Sequence, residues 1–234
     1  RRQRQMCIRD SPESQMVAVT VRAGSKAEMA LPDGTFVHLN AATNLEYDVN
    51  NSKQRLVKLS GEAFFDVAKN PDCPFKVIIN DLQIEVVGTS FNVKTYKKDI
   101  VETSLLSGRI RISGGSLPHE YTLSPGQKAT YSAMDRTLRI SKADAHVEAG
   151  WRDNYLIFES TPLIDVIAQI ERWYGVEIRL HHKQIAQDLL SGSFRNESIQ
   201  NVIRSLSIQY GFKYEIHKDC LLYTSDAADD LIGV

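Results

Sequence analysis

Cysteine is scarce in this chain: three in 234 residues, at positions 7, 73 and 220. Only Cys73, in the stretch PDCPF, lies away from the two ends, and a lone thiol can neither staple loops nor complete a zinc site. It is expected to serve as a small, half-buried apolar residue. An excess of one charge is also missing, with 28 Lys and Arg against 29 Asp and Glu. That balance excludes the broad basic field that DNA, RNA or a strongly anionic lipid surface demands. No apolar run approaches the roughly 20 residues of a membrane-spanning helix.

Catalytic patterns are absent too. The six histidines fall at 38, 119, 146, 181, 182 and 217, with no HExxH spacing and no carboxylate placed to complete a facial metal site. His181 and His182 end an expected strand and read as a solvated loop pair. There is no GxSxG, no Walker loop and no GxGxxG. Ser113, Gly114, Gly115 and Ser116 read as a flexible turn, since no helical pattern follows to present its N-terminus to a phosphate. Glu62 and Asp66, close together in GEAFFDVA, point to one face of a strand and are expected to be ordinary surface charges. Asn50 and Asn196 begin glycosylation-type triplets, a pattern too common by chance to use. The expectation is a protein with no catalytic site, no metal and no cofactor.

The two ends follow a logic of their own. The chain opens RRQRQMCIRDS and closes CLLYTSDAADDLIGV. A basic start suggests a signal peptide, a membrane anchor or a nucleic-acid arm. The polar IRDSPESQM that follows removes the first two, and the neutral balance removes the third. One oligonucleotide accounts for both ends. It encodes RRQRQMCIRD and the start of a serine codon, and its reverse complement encodes CLLYTSDAAD. That oligonucleotide resembles a transposase sequencing adapter. Residues 1–11 and 220–234 are therefore expected to be translated adapter and are set aside from fold reasoning.

What remains changes texture once. Residues 12–150 carry short alternating runs, such as VAVTV, RLVKLSGEAFFDVA and LQIEVVGTSFNVKTY, punctuated by Gly, Pro, Asn and Asp. This spacing predicts an all-β domain, as a sandwich or a coiled β-stack. In LPDGT, Pro32, Asp33 and Gly34 supply the fixed and then positive φ of a tight turn.

Residues 151–219 change period. Leu163, Val166, Ile167, Ile170 and Tyr174 fall at helical spacing, followed by Val176, Ile178 and Leu180 at strand spacing. The pattern then recurs at a constant offset of 36: Phe158 with Phe194, Val166 with Val202, Ile170 with Leu206, Tyr174 with Tyr210, Gly175 with Gly211. It predicts a β-α-β-β-α-β domain with both helices on one face of a small sheet. Aromatic residues gather around the ends of these helices, and Trp173, Tyr174, Phe194 and Phe212 are the candidate partner-binding residues. Tyr174 and Tyr210 fall on the apolar stripe. Trp173 lies one position off it, which makes it the strongest contact candidate. A small sheet of this kind also leaves edges that invite a partner strand.

The stretches RAGSKAEMALPDGTFVHLNAATNLEY, LSGEAFFDVAKNPDCPFKV, LQIEVVGTSFNVKTY, LLSGRIRI and LSPGQKATY, followed by YLIFESTPLIDVIAQIERWYGVEI and LLSGSF, closely resemble the periplasmic part of FecR-type anti-sigma regulators of the Bacteroidetes kind. The resemblance spans almost all of residues 12–219. It implies a single-pass inner-membrane protein whose cytoplasmic domain holds an extracytoplasmic-function sigma factor. Its periplasmic part would respond to the signalling domain of a TonB-dependent outer-membrane transporter. The β-rich segment would then be the FecR domain. The repeated segment would resemble the short N-terminal domain shared by secretins and TonB-dependent receptors. The sigma-binding domain and the membrane helix would precede Val17, and a closing strand after FKYEIHKD is expected to be missing. The second reading is a secreted carbohydrate-binding or adhesive β-module. Exposed aromatics on the β-rich half would favour it, but Phe64, Phe65 and Phe91 sit in apolar runs and read as internal.

Overall fold

The structure is a computed structural model and describes residues 15–49, 55–180, 187–211 and 214–217. The β-rich part runs β1 (Met16–Val21), β2 (Ala27–Ala30), β3 (Phe36–Leu39), β4 (Thr43–Asp48), β5 (Arg55–Ser60), β6 (Glu62–Asp66), β7 (Phe75–Ile79), β8 (Leu82–Val86), β9 (Ser90–Lys94), β10 (Ile100–Ser107), β11 (Ile110–Gly114), β12 (Tyr121–Leu123), β13 (Gln127–Ser132) and β14 (Thr137–Lys142). A short helix α1 (Ala145–Ala149) and a 3-10 turn follow. The α+β segment then runs β15 (Tyr155–Pro162), α2 (Leu163–Tyr174), β16 (Glu177–Leu180), β17 (Leu189–Arg195), α3 (Ile199–Tyr210) and β18 (Tyr214–His217).

Two compact units result. One holds residues up to Thr20, Glu28–His38 and Asn44–Ala143. The other holds Val21–Ala27, Leu39–Thr43 and everything from Asp144.

In the β-rich part, alternating burial sorts the strands into two sheets of order β1-β4-β5-β7-β8-β11-β12 and β14-β13-β10-β9-β6-β3-β2. The chain crosses from one sheet to the other after every one or two strands, so it winds as a coil while its layers form a sandwich. Phe65 of β6 meets Phe75 of β7 across the layers, with ring centroids 5.8 Å apart, and stacks on Phe91 of β9 at 5.2 Å. Phe64, Phe65 and Phe91 are all buried. The LPDGT turn forms with Gly34 at φ +83°, and Leu31 N donates to Thr35 O across it. Glu62 departs from expectation. Strand β6 is covered on both faces, so Glu62 is buried and accepts a hydrogen bond from Asn92 Nδ2 at 3.0 Å, while Asp66 stays exposed and accepts from Ser90.

Beneath the turn, the guanidinium of Arg55 replaces water with backbone. Its Nε donates to Cys73 O (2.6 Å), and its Nη atoms donate to Ala68 O (2.7 Å), Asn70 O (3.2 Å) and the Asp33 carboxylate (3.2 Å). Burying a cation is tolerable only when every donor is matched this way. Asp33 is fixed in turn by Thr35, whose N–H and hydroxyl both donate to it. The loop that connects β6 to β7 is thus held from below.

The second unit realises the repeat as an approximate two-fold axis. Strand β15 pairs with β17 so that Ile157 faces Ser193, and β16 pairs with β18 so that Arg179 faces Glu215. Each of these residues faces its own counterpart 36 positions later. One correction to the expected architecture follows. Among the described residues the four strands form two separate two-stranded sheets, because each strand pairs with its equivalent in the other repeat and not with its neighbour in the chain. The helices supply matching halves of one core: Leu163, Val166, Ile167 and Ile170 from α2, and Ile199, Val202, Ile203 and Leu206 from α3. Both helices end at a left-handed glycine, Gly175 and Gly211, as C-terminal caps require.

Candidate docking surface

The symmetry of the second unit gives a reference against which its surface is read. At the end of α2 the chain covers itself. Residues 21–27 lie against the last turn, where Gly24 N donates to Arg172 O at 2.8 Å. The approach is so close that a Cβ on Gly24 would stand 3.1 Å from Tyr174 O, and one on Gly175 would stand 3.0 Å from Ala23 O. Both positions also have positive φ, so glycine is needed twice over. Lys26 then places its Nζ 3.7 Å from the centroid of the Trp173 ring. The same ammonium donates to Trp151 O (2.5 Å) and Asn154 Oδ1 (3.0 Å). Trp173, the candidate marked by its offset from the apolar stripe, is therefore half-buried with one face on an intramolecular cation.

The other candidates sit deeper or elsewhere. Tyr174 packs on the core, and its hydroxyl donates to Glu197 O at 2.8 Å, tying the end of α2 to the start of α3. Burial, reinforced by the Glu197 carboxylate, raises its pKa above the ordinary tyrosine value. Tyr210 repeats the motif: its hydroxyl donates to Leu189 O at 3.1 Å, and burial followed by Asp188 raises its pKa. Phe194 is half-buried, edge-on to Phe158 at 6.4 Å. Phe212, like the pair His181 and His182, lies outside the described residues.

Among the described residues the cover is not repeated on α3. Ile208, the counterpart of Arg172, is 75% exposed, and open space surrounds the Cβ position of Gly211. Together with Phe194, Glu197, Asn201, Arg204 and Ser205, Ile208 lines a shallow groove of about 340 Å³. The corresponding positions of α2, Asp165, Ala168, Gln169 and Arg172, are all partly covered, whereas Asn201, Arg204, Ser205 and Ile208 are all exposed.

The chain matches two family models: "FecR protein" over residues 17–111 and "FecR, C-terminal" over residues 155–223. It belongs to the FecR family. Two crystal structures of a protein from Parabacteroides distasonis, assigned there as an anti-sigma factor, share this fold. Determined at 1.65 and 2.50 Å, they match at 29% identity with TM-scores of 0.77 and 0.78. The alignments cover 86% and 87% of this chain and 99% of each of those chains. No curated protein matches.

Within this FecR-family fold, Ile208, Asn201 and Arg204 are groove residues that motif reasoning passed over. A signal was present: replacing Arg172 by Ile208 at equivalent helix positions puts an apolar residue where the first repeat has a charge. Among the described residues there is no group of three or more His, Cys, Asp or Glu side chains arranged to hold a metal ion, and no helix long and apolar enough to cross a membrane.

Proposed function

We propose that this chain is the periplasmic receiver of an anti-sigma regulator and that its α+β unit docks the signalling domain of a TonB-dependent outer-membrane transporter. Docking would alter the regulator so that an extracytoplasmic-function sigma factor, held by a cytoplasmic domain across the inner membrane, is released. Family membership supports the regulatory half of this reading. The β-α-β-β-α-β order supports a likeness to the short N-terminal domain of secretins and TonB-dependent receptors.

The observation that carries the docking face is the broken symmetry: the last turn of α2 is covered by residues 21–27, whereas on the equivalent face of α3 Asn201, Arg204, Ser205 and Ile208 are exposed beside the half-buried Phe194. Phe194 would contact the partner directly. Tyr174 would shape the groove through its bond to Glu197, and Trp173 would hold the Lys26 segment in place. Phe212 is a further proposed partner contact.

The test is binding of the purified chain to the transporter's signalling domain, read by calorimetry. Ile208→Asp removes no buried contact and should leave folding intact while weakening binding by about tenfold or more. Trp173→Ala should weaken it less and should also lower stability. Unchanged binding in Ile208→Asp together with Phe194→Ala would discard the α3 face.

A further inference from the structure

The β-rich unit holds a second concave site that the docking reading does not use. It is a cleft of about 490 Å³ between the end of β8, the loop that follows it, the β10–β11 turn and Lys69 of the β6–β7 loop. Its walls meet at backbone contact. A Cβ on Gly88 would fall 2.8 Å from the Cα of Lys69, and one on Gly108 would fall 2.7 Å from Gly88 O.

Hydrogen bonds hold these three segments together. Val67 N donates to Thr89 O (3.0 Å) and Asn70 N to Val87 O (2.8 Å), bracketing Lys69. The Thr89 hydroxyl donates to Arg109 O (3.1 Å). From below, Arg55 grips the carbonyls of Ala68 and Asn70 on either side of Lys69. The cleft is preformed, which spares a ligand the cost of ordering it.

Its charge is unbalanced although the chain as a whole is neutral. Lys69, Arg109 and Arg111 line it, and Glu85 is the only acidic residue among the lining residues. Glu85 is already engaged: β7, β8 and β11 place Lys76, Glu85 and Arg111 side by side, and the carboxylate pairs with both cations. Lys69 and Arg109 are exposed, and neither side chain makes a hydrogen bond or ion pair with another described residue. Val87, 38% exposed, adds an apolar patch beside them.

We infer that this cleft binds a ligand bearing a carboxylate or phosphate, with Lys69 and Arg109 holding the anionic oxygens and Val87 contacting a small apolar body. An ammonium and a guanidinium on fixed loops suit such oxygens, and the volume falls in the range of small-molecule sites.

The test titrates the full chain with inorganic phosphate, with succinate and with a short glutamate-containing peptide, at low ionic strength, by calorimetry. At least one probe should bind saturably and more weakly as salt rises. The double variant Lys69→Ala, Arg109→Ala should lose about tenfold or more in affinity with an unchanged melting temperature, because both side chains are exposed. Glu85→Gln should act in the opposite direction and tighten binding. Tightest binding of the peptide would identify an acidic segment of a protein as the source of the anion. Tightest binding of phosphate or succinate would identify a free small anion. Absence of saturable binding for all three probes, or affinity unchanged in the double variant, would overturn the inference.

Discussion

The ammonium of Lys26 stands 3.7 Å from the centroid of the Trp173 ring, joining positions 147 residues apart in the sequence. The contact ties residues 21–27 to α2 within the second unit, and two hydrogen bonds from the same nitrogen accompany it. Lys26→Met should therefore destabilise this unit by about 2 kcal/mol, the combined loss of a part-buried cation–π contact and its hydrogen bonds. Both tryptophans of the chain, Trp151 and Trp173, belong to this unit, so denaturant unfolding followed by tryptophan fluorescence reports on it selectively. A double-mutant cycle of Lys26→Met with Trp173→Leu should return a coupling of about 0.5–1 kcal/mol. A coupling indistinguishable from zero would mean that the two side chains do not interact in solution.

The two capping glycines offer a sharper comparison, because the repeat makes them equivalent and their surroundings do not. Gly211 has φ +65° with open space around it, so Gly211→Ala should cost only the left-handed conformation, about 1 kcal/mol. Gly175 has φ +66°, and a Cβ there meets Ala23 O at 3.0 Å, so Gly175→Ala should cost about 2 kcal/mol or more. Equal costs would show that residues 21–27 do not press on the α2 terminus.

These comparisons also show which parts of the molecule the sequence discloses. The repeat was readable because helical spacing, capping glycines and matched aromatics recur at one offset, and each is a local signal. The same signal does not say which strands pair. That depends on Ile157 meeting Ser193 across the chain, which is why one expected sheet resolves into two. Glu62 looked like a surface charge because strand alternation assumes one wet face, and β6 has none. Trp173 read as a contact candidate from its offset alone, and its pairing with Lys26 was not legible because Lys26 lies in a stretch whose own pattern is an ordinary turn between strands. The groove on α3 could be found only by comparing the two repeats position by position.

Alkaline pH should weaken the second unit through its two helix-end tyrosines. Tyr174 and Tyr210 both have pKa values raised above 10.0, by burial first and by Glu197 and Asp188 second. The folded state thus holds these protons more tightly than the unfolded chain. The associated stability is full below the unfolded tyrosine pKa and is lost as pH rises through the folded values. Tyr174→Phe should lower stability at neutral pH by about 1 kcal/mol, the value of the bond to Glu197 O, and should flatten the loss above about pH 10. Fluorescence-monitored unfolding across that range measures both effects. An alkaline slope as steep in the Tyr174→Phe, Tyr210→Phe double variant as in the parent would assign the loss to other groups.

Arg55 should be the most costly single position in the β-rich unit. Its side chain is 4% exposed and donates to the backbone carbonyls of Cys73, Ala68, Asn70 and Val87 and to the Asp33 carboxylate, so truncation removes a donor from five acceptors at once. Arg55→Ala should cost about 3–5 kcal/mol, the range for breaking one partner of a buried ion pair. Arg55→Lys keeps the charge but cannot reproduce the forked geometry, and should cost about half as much. Far-UV circular dichroism follows this unit, since its strands dominate the β signal. Because Arg55 also anchors the carbonyls flanking Lys69, Arg55→Lys should weaken anion binding in the cleft without touching a residue that lines it. The accompanying change should be faster hydrogen exchange at the amides of Val67 and Asn70, whose bonds to Thr89 and Val87 set the cleft's shape. If those amides remained fully protected in a destabilised Arg55→Lys protein, the guanidinium would be stabilising the fold without positioning Lys69.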